Sequence, residues 1–452
     1  MEKINSSRRQ FLKNTAIITG GAIIAPTILT RCAKGANDRI MMAHIGVGSM
    51  GQAALQSWFM PIDTTYAVAT CDTFLDRRTG VAQYVNRTYK EKGINAPECK
   101  AYLDMDEILE RKDIDCVNIT TPDHWHVLAA IKAARAGKHV MLAKPLGLCY
   151  ADFKILEKEL KTNDVRFHYG TQQRAISHMK LAISMIREGK IGEVERLEVW
   201  APGKNDVPSP MCSEVPVPSD FDYERWTGPA RLNPYCPDRV TNNSSWFQND
   251  YSIGFLAGWG AHPLDIMVWG IKEQLTGKYS CEGTGTFWEP GGMYNNIYSW
   301  DLNYEYESGV KLRFMSSDVV QSKDVWNYRK MKDYNSTTFF GSKGWISVGR
   351  TSAESNIPEL QQKLDQFPKD DQGWIKEDGW KMGQMFIDVV KGTTQETCPL
   401  DEAILSDCVS QMGNIAIRTG RKITWNPLVG EVVGDPEANQ IFNREARKPF
   451  TA

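Results

Sequence analysis

The stretch from Ile40 to Phe59 constrains the fold of this chain more than any other. Ile40 to Ile45 is an apolar run of strand length. Gly46-Val47-Gly48-Ser49-Met50-Gly51 follows directly, and Gln52 to Phe59 reads as a helix. A G-x-G-x-x-G pattern alone is common, but between a strand and a helix it has a mechanism. Gly46 permits the tight turn, Gly48 lets backbone approach a pyrophosphate, and Gly51 lets the helix pack close to the strand. The helix N-terminus then faces the phosphates, with Ser49 and Met50 in the same turn. The next strand, Tyr66 to Cys71, ends at Asp72, about twenty residues further on. A carboxylate there accepts hydrogen bonds from ribose hydroxyls and repels a 2′-phosphate. This predicts NAD rather than NADP as cofactor, with Arg77 and Arg78 following closely behind.

Two further units continue the pattern. Asp115 to Thr120 reads as a strand, and Thr121-Pro122-Asp123-His124-Trp125-His126 opens a helix that Gly137 caps. His139 to Ala143 is the next strand and ends in Lys144-Pro145-Leu146-Gly147. Strands alternating with helices predict a parallel, doubly wound sheet, whose ligands sit beyond the carboxyl ends of the strands. Thr121, Pro122, His124, His126 and Lys144 all fall at such ends and are candidate cofactor contacts. Downstream, Val194 to Trp200, Tyr298 to Tyr306 and Val310 to Phe314 alternate like strands. Trp380 to Lys391 and Asp401 to Arg418 read as helices.

At 452 residues the chain exceeds one ordinary core, so two domains are expected. A net charge of -2 gives no electrostatic reason to expect nucleic acid. Fourteen tryptophans is a high count that leans toward stacking on sugar rings, although for any single tryptophan core filling is the commoner role. None of the ten cysteines forms C-x-x-C, and no metal-ligand spacing is present. Cys71, Cys116 and Cys149 lie in or beside apolar runs, where cysteine behaves as a small buried hydrophobe. The spacings single out no disulfide pair.

Residues 1–35 read as an address. Ser7-Arg8-Arg9-Gln10-Phe11-Leu12-Lys13 precedes the weakly apolar run Thr15 to Leu29, which is too short and too rich in Gly and Thr to span a bilayer. The arrangement resembles a twin-arginine export signal and predicts a periplasmic protein, with no membrane-spanning segment in the mature chain. Cys32 follows Leu29-Thr30-Arg31, a sequence that shares features with a lipoprotein box but departs from it at Arg31. A lipid anchor at Cys32 and simple cleavage nearby are the two alternatives.

Several motifs together resemble the Gfo/Idh/MocA oxidoreductases: G-V-G-S-M-G, T-P-D-H-W-H, A-G-K-H-V, K-P-L, G-T-Q-Q-R (Gly170 to Arg174), R-E-G-K-I-G-E-V (Arg187 to Val194), W-T-G-P-A (Trp226 to Ala230), G-W-G-A-H-P-L-D (Gly258 to Asp265), G-S-K-G-W (Gly341 to Trp345), and I-A-I-R-T-G-R-K-I-T-W-N-P (Ile415 to Pro427). The resemblance covers nearly the whole mature chain. It implies a Rossmann domain over 38–165 and a second domain over 166–452, an open-faced, mostly antiparallel sheet with helices on one face. It also implies pairing of subunits through that sheet, hence a homo-oligomer, and a small-molecule carbohydrate substrate.

In the family, the lysine of Glu-Lys-Pro and the histidine of Asp-x-x-x-His act on the substrate hydroxyl. Carried over, these are Lys144 and His262, with Asp265 as a supporting acid beside the substrate. Here Ala143 stands where the glutamate would be, and Gly258 where the aspartate would be. Trp246, Tyr251 and Trp259 are candidate sugar platforms or core residues, and Arg174 contacts substrate or pairs with an acid. The expected activity is NAD-linked oxidation of a pyranose or glycoside to a keto-sugar, at C3 in one version. The alternatives are an NAD-dependent glycosidase working by transient oxidation and elimination, and a sugar- or partner-binding protein that keeps NAD as a structural ligament. The export signal makes a direct prediction. Cell fractionation should find an Arg8→Lys, Arg9→Lys double variant in the cytoplasm with its signal uncut, whereas efficient export of that variant would rule out twin-arginine targeting.

Overall fold

Short apolar strands separated by helix-forming runs build the first layer. The computed structural model describes residues 39–203, 207–241, 244–366 and 379–452. Arg8, Arg9 and Cys32 lie outside the described residues. The first sheet contains β1 (Ile40–Ile45), β2 (Thr65–Cys71), β3 (Lys100–Tyr102), β4 (Cys116–Ile119), β5 (His139–Ala143) and β6 (Phe167–Gly170). These are all parallel and run in the order β3-β2-β1-β4-β5-β6. The helices α1 (Ser49–Ala54), α2 (Leu75–Glu91), α3 (Asp123–Arg135) and α4 (Tyr150–Thr162) connect them. The helix expected over Gln52 to Phe59 is α1 followed by a wider turn over Leu55–Phe59. Gly137 takes φ +70° and closes α3 by donating to the Ala134 carbonyl. Phe167–Gly170 pairs with β5, because its four residues are all buried and complete the edge of the same sheet.

The second part begins with α5 (Ser177–Arg187) and β7 (Val194–Ala201), followed by α6 (Phe255–Gly258) and α7 (Ala261–Ile271). Next come β8 (Tyr279–Phe287), β9 (Ile297–Tyr306), β10 (Lys311–Ser316), β11 (Ser336–Gly341), β12 (Gly344–Gly349) and β13 (Ala353–Ser355). Then follow α8 (Gly379–Val390), α9 (Leu400–Thr419), β14 (Ile423–Asn426) and β15 (Glu431–Val432). The nine strands form one sheet in the order β13-β12-β11-β7-β10-β9-β8-β14-β15. It is antiparallel except where β7 meets β10. Its strands alternate as expected for one covered face: along β9, Leu302, Tyr304 and Tyr306 are buried and Asn303 and Glu305 exposed. The main apolar core runs continuously from α3 and β4 through α5 and α7 to α9. α8 packs instead on the first sheet, where Met382, Phe386 and Ile387 meet Phe59 and Met141. Among the described residues no helix is long and apolar enough to cross a membrane.

A buried ion network joins the end of the first sheet to the helices of the second part. Arg174 is 2% exposed. Its Nε and Nη2 donate to the two carboxylate oxygens of Asp265 on α7 at 2.8 and 2.6 Å. Its Nη1 donates to the Thr397 carbonyl at 2.7 Å and to Glu402 on α9. Thr171 Oγ1 adds a bond to Asp265 at 2.7 Å. Arg174 and Asp265 are therefore not substrate contacts. Both spend their hydrogen-bonding capacity within this network, out of reach of solvent. Replacing Arg174 with leucine would leave Asp265 buried without its counter-ion, while Glu402 keeps Lys272 at 3.4 Å, and the unpaired buried charge costs about 3–5 kcal/mol. Urea unfolding should show a loss of that size, and an unchanged midpoint would show that the network contributes no stability.

Candidate active site

Close backbone approach shapes the nucleotide end of the site. Gly46 has φ +81°, and a Cβ there would lie 2.7 Å from the backbone of Thr120 and Thr121. A Cβ on Gly51 would lie 1.9 Å from the Gly46 carbonyl oxygen, so α1 can approach β1 only with glycine at that position. A cleft of about 630 Å³ opens above this turn. Gly46, Gly48, Ser49, Met50, Gly51, Asp72, Thr121, Pro122, His126, Lys144 and Trp246 all line it. Thr121 Oγ1 and Gln172 Oε1 are buried on its wall without a hydrogen-bond partner among the described residues. Such orphaned groups suit a polar ligand, and the glycine cradle suits a dinucleotide.

Asp72 ends β2 inside the cleft. Its Oδ2 accepts from the Val47 N–H across the glycine turn, and its Oδ1 from the Phe74 N–H, both at 3.0 Å. Burial pushes its carboxyl up from the ordinary value, while these two bonds and Arg77 pull it back. The two arginines behind it divide. Arg78 turns to the carbonyls of Asp72 and Thr73, and Arg77 lies over the Phe74 ring at 3.8 Å and lines the cleft.

The T-P-D-H-W-H segment does several jobs. His126 has Nδ1 2.6 Å from the Pro145 carbonyl oxygen and Nε2 2.8 Å from that of Thr121. It staples two loops of the cleft together. His124 is not a nucleotide contact. It does not line the cleft, and has Nε2 3.0 Å from the Trp226 carbonyl oxygen and its ring against Trp226 and Tyr251. Asp123 was not among the expected site residues. It is 3% exposed, lines the cleft, and accepts from Ser252 Oγ at 2.7 Å. Its motif was legible in the sequence, but its partner lies 129 residues away.

Lys144 sits where the two halves of the chain meet. Its Nζ donates to the Gly258 carbonyl at 2.8 Å and stands 5.4 Å over the Trp246 ring. Burial lowers its pKa to about 8, with Asp123 acting to raise it and Arg350 to lower it. A Cβ at position 258 would meet nothing within 4 Å, so the glycine leaves open space beside the lysine. His262, on the first turn of α7, is buried, and its Nδ1 has no partner among the described residues. Burial holds its pKa well below the usual value, and Arg350 and Lys144 push in the same direction, so the ring is neutral at neutral pH.

Trp259 is half-buried, 6.0 Å from the His262 ring and 4.9 Å from the Arg350 guanidinium. Trp246 is half-buried on the cleft wall, the placement a sugar platform needs. Tyr251 is no platform. It is fully buried in an aromatic cluster with Phe221, Tyr223, Trp226 and Tyr235, where packing accounts for it. The same region holds a disulfide between Cys212 and Cys236, a pair the spacing did not single out. Cys71 and Cys116 are buried as expected, while Cys149 is only half-buried.

Residues 40–171 match the profile described as "Oxidoreductase family, NAD-binding Rossmann fold". Residues 200–452 match "Oxidoreductase family, C-terminal alpha/beta domain". A glycosyl hydrolase family 109 protein of Shewanella putrefaciens is 27% identical over 216 residues, 42% of this chain and 44% of that protein. The 2,7-anhydro-N-acetylneuraminate hydratase of Escherichia coli is 34% identical over 97 residues, 22% of this chain and 26% of that protein. The chain thus spans less than half the length of these relatives. The WlbA dehydrogenase from Bordetella pertussis, crystallised with NADH and UDP-GlcNAcA, has a TM-score of 0.60 at 15% identity, covering 86% of this chain and 98% of that one. The aldose-aldose oxidoreductase from Caulobacter crescentus, complexed with glycerol, has a TM-score of 0.60 at 15% identity, covering 86% and 100%. At such identities the likeness is one of fold.

The cleft predicts its own nucleotide preference. Asp72→Ala removes the carboxylate placed for ribose hydroxyls, and loss of a charged hydrogen bond is worth about 1.5–3 kcal/mol. Calorimetric titration should show NAD binding weakened by about tenfold or more and discrimination against NADP reduced. Unchanged NAD affinity would remove Asp72 from the ribose site.

Proposed function

The chain belongs to the Gfo/Idh/MocA oxidoreductase family, and from that premise we propose that it is a periplasmic oxidoreductase that keeps NAD tightly bound and acts on a sugar or glycoside, converting a pyranoside to a keto-sugar, at C3 in the favoured version. The observation that carries the proposal is Lys144. It is a buried amine held by the Gly258 carbonyl at the inner wall of the glycine-loop cleft, next to a half-buried tryptophan. NAD bound on the glycine turn would supply the hydride acceptor. Lys144 stabilises negative charge developing on the substrate oxygen. His262, neutral and with its Nδ1 unpartnered among the described residues, takes the hydroxyl proton. Trp246 offers the sugar an apolar face.

Export is supported by the arginine pair and by the Cys212–Cys236 disulfide, since such bonds persist in oxidising compartments. A compartment without a pool of free NAD favours a nucleotide loaded before export and retained through many turnovers. A second reading, an oxidation–elimination glycosidase, is favoured by the similarity to glycosyl hydrolase family 109 proteins.

A glycoside panel run in heavy water with the exported protein separates the readings. Keto-sugar formed only with an added electron acceptor supports the dehydrogenase. Free sugar released without an acceptor, with deuterium beside the oxidised carbon, supports the glycosidase. Neither product, with NAD still bound, would overturn both in favour of a binding protein. Lys144→Ala and His262→Ala should each lower turnover by roughly a hundredfold. Full activity in the His262 variant would place the base elsewhere.

A further inference from the structure

Asp123 and Lys144 hold the same short turn of the second sheet domain from two sides. Asp123 is the first residue of α3, and its Oδ2 accepts from Ser252 Oγ at 2.7 Å. Ser252 Oγ in turn accepts from the Gly254 N–H at 3.0 Å. Asn296, just before β9, fixes the turn by donating Nδ2 to the carbonyls of Ser252 and Trp246, each at 2.9 Å. Helix α6 starts immediately after Gly254, and its last residue, Gly258, carries the carbonyl that accepts from Lys144 Nζ. Asp123 and Lys144 therefore face one cleft and share one tether, although they follow different strands of the first sheet.

The titratable groups around this pair come from five elements. Asp123 and His126 project from α3, Arg350 follows β12, His262 lies on α7, Asp407 lies on α9 and Tyr169 on β6. Of these, Asp123 is the carboxylate acting on Lys144. It opposes both the burial of the amine and the charge of Arg350. Ala143, which precedes the lysine, and Gly258, whose carbonyl accepts from it, bring no charged side chain.

We propose that Asp123 is the positioning residue of this site, the carboxylate that keeps Lys144 an ammonium and, through Ser252, aims it at the substrate oxygen. The inference rests on the proposed sugar chemistry only for what Lys144 does, not for the link between the two residues. The sign of the effect follows from electrostatics. A carboxylate near a buried amine favours the charged form, so removing it lowers the amine's proton affinity. If turnover needs the ammonium, activity lost as pH rises is lost at lower pH without Asp123.

The test uses the exported, nucleotide-loaded protein. Asp123→Asn retains the shape and a hydrogen bond to Ser252 but removes the charge, Ser252→Ala retains the charge and removes the tether, and Asp123→Glu restores the charge. Two quantities are read for each. One is the pH profile of kcat. The other is the pH midpoint of competitive acetic anhydride labelling at Lys144, measured by mass spectrometry, which needs no substrate. In Asp123→Asn both midpoints should move down by about one unit or more. At pH 8, kcat should fall by about fivefold or more with KM within about twofold, and Asp123→Glu should recover part of the loss. Ser252→Ala should keep the labelling midpoint near wild type while lowering kcat. A wild-type labelling midpoint in Asp123→Asn would overturn the proposal. A wild-type protein inactive on every sugar, with the midpoint shifted in the variant, would sink the sugar chemistry and leave the Asp123–Lys144 link standing.

Discussion

A guanidinium with no route to water must be neutralised where it lies, and much of this structure is arranged around that requirement at Arg174. The residue follows β6, the last strand of the first sheet. Its fork closes on Asp265 of α7, and its remaining donor reaches Glu402 of α9. Three segments distant in sequence are thereby brought to fixed positions. One of them, α7, carries His262 one turn before Asp265. Neighbouring Gln173, in the amide orientation that satisfies both its ends, donates to the His262 carbonyl at 3.1 Å and accepts from Arg350 Nε at 3.1 Å. The G-T-Q-Q-R segment is thus chiefly a hub that sets where the second half of the site stands, with Gly170 and Gln172 on the cleft wall.

A second clamp acts on the Lys144 loop. Asp407 of α9 accepts from the Leu146 N–H at 3.2 Å, and Gln411 donates to the Gly147 carbonyl at 2.8 Å. His126 holds the Pro145 carbonyl from the other side. Lys144 therefore has its backbone fixed by α3 and α9 and its side chain fixed by α6. Such over-determination is what a buried amine requires, because an ammonium out of water is tolerated only where its hydrogen bonds and counter-charge are supplied in place. A lysine on a loose loop would retreat to solvent. Here the geometry keeps it in the cleft with its proton affinity tuned toward neutrality.

The sequence by itself determined the parts of this protein that depend on local rules. Strand–glycine–helix order, the acid after β2, the glycine that ends α3 and the alternation along β9 and β10 are consequences of backbone sterics and side-chain period, which act between near neighbours. They were legible for that reason. Cofactor class, the first sheet and the placement of Lys144 at a strand end followed from them. The resemblance to a known family extended the outline to the second sheet and to His262.

What only the tertiary structure decided are the relations between residues far apart in the chain. Local sequence does not separate Tyr251 in a sealed aromatic cluster from Trp246 on the cleft wall, because both occur in similar polar-aromatic surroundings. Arg174 reads equally as a ligand for substrate or for an acid until α7 and α9 are seen to bring two carboxylates to it. His124 and His126 are two residues apart in one motif, yet the first turn of α3 points one into packing and the other across the cleft. Cys212 and Cys236 pair because the fold places their Cα atoms 5.7 Å apart, a distance no spacing rule supplies. Asp123 meets Ser252 and faces Lys144 for the same physical reason: pairings across a cleft are set by how two sheets dock, and docking is a property of the packed whole.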